Sequence, residues 1–195
     1  MYSDIKQKLL LITIKILTLD YLLIKNVLKK WSPKGDIKVL DLGAGLGNLA
    51  PMFSPKNYLG VELNPQLVQL AKKDYLKYNF VQGDITTFSN NQKYDLVIVI
   101  GVLHHINDKQ LDQGLGVIGK HLKKDGRSII LEAIPPIYKW NLPGRFIRSL
   151  DQGEFIRTYD QYKQKIGKKF TIIHCETKKG GIVDYALFVV NNKSS

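Results

Sequence analysis

The stretch Val39-Leu40-Asp41-Leu42-Gly43-Ala44-Gly45-Leu46-Gly47 decides how this chain is read. A short apolar run ends in an acid and passes through closely spaced glycines toward a helix-like segment. Glycine permits left-handed backbone and lets another group lie against the chain with no Cβ between them. In an open α/β sheet, ligands bind in the crevice at the carboxyl ends of the strands, and such a turn falls there. The spacing is G-x-G-x-G, and Asn48 stands where a dinucleotide fingerprint needs its third small residue. Asp41 is a poor neighbour for a pyrophosphate and a good one for a cation.

Working outward, the chain alternates short apolar runs with helical patterns. Ile37–Asp41 predicts a strand, followed by the glycine turn and a short helix that Pro51 and Pro55 end. Tyr58–Glu62 predicts a second strand. Pro65–Lys77 predicts a helix with Asn64 as N-cap and proline at its first position. Asn79–Gln82 and the almost wholly apolar Tyr94–Ile100 predict two further strands, the latter covered on both faces. Asp108–Leu122 predicts a helix, Lys124-Asp125-Gly126 a turn, and Ser128–Glu132 a fifth strand. Strands alternating with helices imply a parallel sheet with helices on both faces. Ile134 to Gly153 is irregular. Thr158 and Gln161 have capping-box spacing for a helix over Tyr159–Ile166. Phe170–Cys175 and Val183–Val190 are placed to pair antiparallel through a turn at Lys178–Gly181.

Length and composition bound the rest. The 195 residues suit one domain, spanning 35–195, with a helical extension over 1–34 that ends at Ser32-Pro33-Lys34-Gly35. A hydrophobic content of 44% supports a real core. The apolar N-terminus mimics a signal peptide, but Lys15 and Asp20 interrupt it and no cleavage site of small residues follows. Its uncharged runs fall short of the ~20 residues needed to span a bilayer. One or two helices packed on the domain are expected there, with peripheral membrane contact through 1–31 left open. The single cysteine, Cys175, excludes a disulfide framework and multi-cysteine zinc sites and fits a cytoplasmic setting; no metal is expected. The net charge of +12 admits a nucleic acid or anionic surface as partner. The lysines, however, are spread from Lys6 to Lys193 with no run of five like charges, which favours a generally basic surface.

From Asp36 to Glu132 the chain resembles the class I S-adenosylmethionine-dependent methyltransferases. Five motifs carry the resemblance in order: Val39–Gly47; Gly60-Val61-Glu62-Leu63-Asn64-Pro65; Val81-Gln82-Gly83-Asp84-Ile85; Tyr94–Val99 running into Leu103-His104-His105-Ile106; and Leu122-Lys123-Lys124-Asp125-Gly126-Arg127. The resemblance implies a Rossmann-like methyltransferase fold: a mostly parallel seven-stranded sheet, helices on both faces and an antiparallel C-terminal hairpin. It also implies a cofactor, S-adenosyl-L-methionine, held by Asp41, Gly43, Ala44, Gly45, Gly47, Glu62, Leu63, Asp84, Ile85 and Ile100. Glu62 matches the acid that accepts the ribose hydroxyls, a task a two-oxygen carboxylate suits. Asp84 matches the acceptor of the adenine amine, with Ile85 packing on the ring. Asp41 and Gly43 match positions around the methionine moiety. His104 and His105 are the catalytic candidates, since histidine accepts protons near neutral pH; either could instead only shape the pocket wall.

Leu150–Thr158, leading to Tyr159 and Tyr162, resembles a stretch in small stand-alone bacterial methyltransferases, many tied to polysaccharide or lipid biosynthesis. The expected activity is methyl transfer to an O or N atom of a small-molecule, sugar or lipid-linked acceptor. An RNA methyltransferase and a non-catalytic S-adenosylmethionine-binding module are the alternatives. Tyr138–Arg157, with Arg145, Arg148, Arg157 and several aromatics, is expected to cover the acceptor pocket and to recognise an anionic or ring-containing acceptor. No N/D-P-P-Y/F/W follows the fourth strand, which argues against amino-methylation of DNA; the absence of Pro-Cys there argues against covalent cytosine chemistry. Two other strings are decoys. Gly114-x-Gly116-x-x-Gly119 lies inside a predicted helix without the strand–turn–helix context, and Tyr159-x-x-x-Lys163 matches short-chain dehydrogenases in spacing alone.

Overall fold

The computed structural model describes residues 20–137, 154–180 and 183–193. Helix α1 (Asp20–Trp31) precedes β1 (Val39–Leu42), β2 (Tyr58–Glu62), α2 (Pro65–Asp74), β3 (Asn79–Gln82) and β4 (Tyr94–Ile100). Then come α3 (Asp108–His121), β5 (Leu122–Ile134), α4 (Tyr159–Lys169), β6 (Phe170–Gly180) and β7 (Val183–Asn192). The strands form one seven-stranded sheet in the order β3-β2-β1-β4-β5-β7-β6. Neighbours from β3 through β5 pair in parallel, and β7 runs antiparallel to both β5 and β6. This is the expected Rossmann-like sheet with its C-terminal hairpin.

Strand alternation sorts the core into two layers. Leu40, Val97, Val99 and Ile130 meet Leu111, Leu115 and Ile118 of α3 and Tyr162 and Ile166 of α4. Val39, Leu96, Ile98, Ile129 and Leu131 meet Val27 and Leu28 of α1 and Val68 and Ala71 of α2 on the other face. Burying a side chain of this size stabilises by about 1.5–3 kcal/mol, so the β1 and β4 residues, flanked on both faces, fix the frame from which the glycine turn projects.

Local chemistry sets the helix ends. Asn64 accepts from Gln66 N and Leu67 N at the start of α2; Asn107–Gln110 and Thr158–Gln161 form full capping boxes at α3 and α4.

Several expected boundaries move. Helix α2 stops at Asp74, short of Lys77, because Tyr75 leaves helical geometry. The short helix after the glycine turn is replaced by two 3-10 turns, Ala50–Met52 and Pro55–Asn57, each with proline near its start. The turn expected at Lys124–Gly126 lies within β5 as a bulge, since the register steps from Tyr94↔Leu122 to Leu96↔Arg127. Gly126 is required there: a Cβ would sit 2.9 Å from the Tyr94 carbonyl oxygen. The final strands are longer than expected, β6 continuing through Lys178 to Gly180. Among the described residues no helix is long and apolar enough to cross a membrane.

Candidate functional site

A cleft of about 660 Å3 opens at the carboxyl ends of β1, β2 and β4. That volume lies within the range of small-molecule sites. Of the expected cofactor residues, Asp41, Gly43, Ala44, Gly45, Glu62, Leu63, Asp84, Ile85 and Ile100 line it. Gly47 does not: its φ is +77°, and a Cβ there would lie 2.5 Å from Phe80 Cζ. Gly47 therefore serves the turn and its packing. His105 lines the cleft, whereas His104 lies outside the lining and is buried.

The glycine turn is tied to β2 twice over. Gly43 N and Ala44 N both donate to the Val61 carbonyl. Gly45 N donates to Glu62 Oε2 at 2.9 Å, and Asn64 N donates to Glu62 Oε1 at 2.9 Å. A carboxylate has about four lone-pair sites, so Glu62 keeps acceptor capacity for a ligand while it holds the turn. Gly43, at φ +82°, is pressed against Val102 of the loop after β4, leaving no room for a side chain. Gly45, at φ +55°, has nothing within 4 Å of a would-be Cβ. Its bare face borders the open cleft.

Asp41 is 2% exposed and accepts from the Tyr58 hydroxyl at 2.6 Å. Burial first, and the Asp41 charge second, push the Tyr58 phenol well above its ordinary value, so it remains a donor. Asp84 Oδ1 accepts from Thr86 N and Thr86 Oγ1, each at 2.7 Å, which fixes the carboxylate after β3. Leu63 is 62% exposed at one side of the cleft, and Ile85 is buried. Among the described residues, every formally charged group lining the cleft is a carboxylate: Asp41, Glu62 and Asp84. The +12 charge of the chain is carried elsewhere.

Several lining residues fall outside the expected set, and three of them come from elements the sequence reading did not bring to the site. Tyr21 and Ile24 come from α1, and Tyr185 comes from β7. Tyr185 reaches the cleft because β7 runs antiparallel beside β5, pairing it with Ala133. No local motif signals such a placement, although the amphipathic pattern of α1 marks it as a packed helix.

Arg157 differs from its expected role. It is 6% exposed, and its guanidinium donates to the Leu103, Phe155 and Ile106 carbonyls and to Asp108. These bonds bind it to the protein rather than to an anionic acceptor. The remainder of the expected cover, 138–153, lies outside the described residues. Both decoys fall away from the cleft. Gly114, Gly116 and Gly119 lie within α3. Tyr159 stacks on Phe188, and burial followed by its contact with Cys175 pushes its phenol up to about 12, the wrong direction for a reductase acid.

Residues 39–126, a little under half of the chain, match the family model described as "Methyltransferase domain". An uncharacterized methyltransferase of Anoxybacillus flavithermus is 26% identical over 97 residues, 48% of this chain and 46% of that protein. The chain spans about half the length of the curated relatives it matches. Among solved structures, the PH0226 protein from Pyrococcus horikoshii superposes with a TM-score of 0.68 at 23% identity, covering 92% of this chain and 90% of that one. The N-methyltransferase NodS from Bradyrhizobium japonicum, solved with S-adenosyl-L-homocysteine, superposes with a TM-score of 0.67 at 16% identity, covering 89% and 85%. In strand order and in the match over 39–126, the chain is similar to methyltransferase domains.

Proposed function

We propose that the protein transfers a methyl group from S-adenosyl-L-methionine to an O or N atom of a small-molecule, sugar or lipid-linked acceptor. The observation that carries this reading is the cleft itself: a bare glycine turn in a lining whose formally charged groups, among the described residues, are all carboxylates. A sulfonium with an ammonium group is a cation that such a site attracts, and a pyrophosphate is an anion it repels. The residues fit the cofactor, because a Cβ at Gly45 would fill the cradle and Leu63 leaves an apolar face exposed beside it.

In this reading Glu62 accepts the ribose hydroxyls with the lone pairs left by Gly45 N and Asn64 N. Asp84 accepts the adenine amine with the oxygen that Thr86 does not hold, while Leu63 and Ile85 pack on the ring. Asp41 and Gly43 border the methionine end. The cofactor supplies an activated methyl on a positively charged sulfur. The protein's part is to hold an acceptor in line with it and exclude water. Ile100, Val102, Ile106, Tyr21 and Tyr185 form a largely apolar wall toward that end of the cleft. His105 stands there to accept a proton or to shape the wall. Of the N-terminal segment read as an extension of the domain, the described helix α1 contributes Tyr21 and Ile24 to the wall of the cleft.

Calorimetry with S-adenosyl-L-homocysteine and with NAD tests the cofactor, with binding expected for the former alone. Tight NAD binding alone overturns the assignment. A radiolabelled-methyl screen of phenols, amines, sugars, lipid-linked sugars and RNA then identifies the acceptor. Labelling of RNA alone would contradict the proposed acceptor class.

A further inference from the structure

The loop that carries His105 cannot hold its own shape. It begins at Gly101, with φ +66°, and passes through Val102 at φ −124° and ψ −42°, outside the regular regions. The turn Leu103–His105 is a single 3-10 unit closed by one bond, His105 N to the Val102 carbonyl at 3.1 Å. A turn of that length has little stability of its own. Buried charged groups from two distant elements grip it on both its donors and its acceptors.

From the sheet, Glu132 at the end of β5 is wholly buried. Its Oε1 accepts from Val102 N at 3.0 Å and from Leu103 N at 2.9 Å. Its Oε2 lies 2.9 Å from His104 Nδ1. With Glu132 as a carboxylate, which can only accept, Nδ1 is the donor and carries the proton. From the segment ahead of α4, Arg157 donates to the Leu103 carbonyl at 2.9 Å and to the Ile106 carbonyl at 2.8 Å. Phe155 N adds a bond to the His104 carbonyl at 3.0 Å. Asp108, itself paired with Lys165, holds the guanidinium in place. The His104 and His105 rings are 4.0 Å apart, so the gripped ring backs the one that lines the cleft.

We propose that Glu132 and Arg157 are positioning residues that clamp the Leu103–His105 turn from two sides and thereby fix the His105 imidazole at the acceptor end of the cleft. The acceptor rests on the proposed function; the clamp is a property of the chain. Glu132 acts through the turn amides and through the tautomer of His104. Arg157 acts through the carbonyls of the same turn, and it joins the segment preceding α4 to the site. Burial makes both groups consequential, because removing one partner leaves the other groups without theirs away from water.

The test uses the full chain with 15N-labelled histidine. Correlation spectra of the ring nitrogens read tautomer and environment directly, and no acceptor is needed. The wild type is expected to show His104 protonated at Nδ1 with a slowly exchanging ring proton. Glu132→Gln keeps the shape and an oxygen for the turn amides but offers His104 a less favourable partner. It is expected to abolish that slow exchange and to broaden or double the His105 signals, although residue 132 does not line the cleft. Arg157→Lys, which keeps charge and loses the fork, is expected to broaden His105 less than Arg157→Met does. S-adenosyl-L-homocysteine affinity, measured by calorimetry, is expected to stay within about threefold in Glu132→Gln, since the glycine turn and Glu62 are elsewhere. His105 signals unchanged in folded Glu132→Gln and Arg157→Lys would overturn the clamp, as would a wild-type His104 protonated at Nε2 alone. Failure of the wild type to bind S-adenosyl-L-homocysteine would sink the proposed function, while the spectra of the free protein would still judge the clamp.

Discussion

The glycines of the first motif are separable by substitution, and Gly45→Ala against Gly47→Ala is the sharpest comparison. Both residues have positive φ, +55° and +77°. Left-handed backbone costs an alanine about 1–2 kcal/mol at either site. Beyond that the sites differ. A Cβ on Gly45 meets no atom within 4 Å, whereas on Gly47 it would lie 2.5 Å from Phe80 Cζ and 3.2 Å from Tyr75 Cδ2. Phe80 is buried at 2% exposure and cannot withdraw freely. Displacing it adds about 1–3 kcal/mol of overpacking, so Gly47→Ala should lose about 2–5 kcal/mol and Gly45→Ala about 1–2. In a chain of this size 1 kcal/mol moves Tm by roughly 2–4 °C. Gly47→Ala should therefore melt roughly 4–20 °C lower and Gly45→Ala roughly 2–8 °C lower. Binding should rank the other way. The methyl of Gly45→Ala projects into the cleft and should weaken S-adenosyl-L-homocysteine at least tenfold, while folded Gly47→Ala should bind within about threefold of wild type. Differential scanning calorimetry and titration calorimetry well below both melting points measure the two quantities. A Gly45→Ala protein that binds normally, or a Gly47→Ala protein that melts like wild type, would refute the division of roles.

Glu62→Ala should weaken S-adenosyl-L-homocysteine by about 1–3 kcal/mol, because a charged acceptor is lost; Lys77→Ala, beyond the end of α2, should change it less than twofold. Equal effects in titration calorimetry would remove Glu62 from the site. Tyr58→Phe strips a 2.6 Å donor from the buried Asp41 and should destabilise the fold by about 1–3 kcal/mol, read as a lower urea midpoint. An unchanged midpoint would mean that Asp41 does not depend on that bond. Lys165, then Arg157, hold the Asp108 carboxyl below its ordinary value. A depressed carboxyl stabilises the fold above about pH 4 and loses that contribution as pH falls through its lowered value. Asp108→Asn should flatten the acid side of the stability–pH curve, modestly because Asp108 is mostly exposed. Identical slopes in wild type and variant between about pH 4 and 2 would contradict the coupling.

The sequence alone determined what depends on neighbours along the chain. Asn64 and Thr158 cap the helices their spacing announced, because a cap bonds two or three residues ahead. The period of the apolar runs marked the strands, since a strand covered on both faces has no polar side to show. The glycine turn, Glu62 and Asp84 were legible because each stands at the end of its strand, and parallel strands deliver those ends to one edge. Only the tertiary structure decided what depends on partners remote in sequence. Gly47 and Gly45 look alike in the motif, and the packing of Phe80 and Tyr75 against Gly47 separates their duties. Arg157 has the composition of a ligand-binding arginine, yet carbonyls some fifty residues away occupy it. His104 and His105 are adjacent and identical, but Glu132 draws one ring into the protein and leaves the other on the cleft. Tyr21 and Tyr185 reach the site through helix packing and an antiparallel register. Buried polar groups must find partners wherever the fold supplies them, and that choice is made by packing, not by spacing.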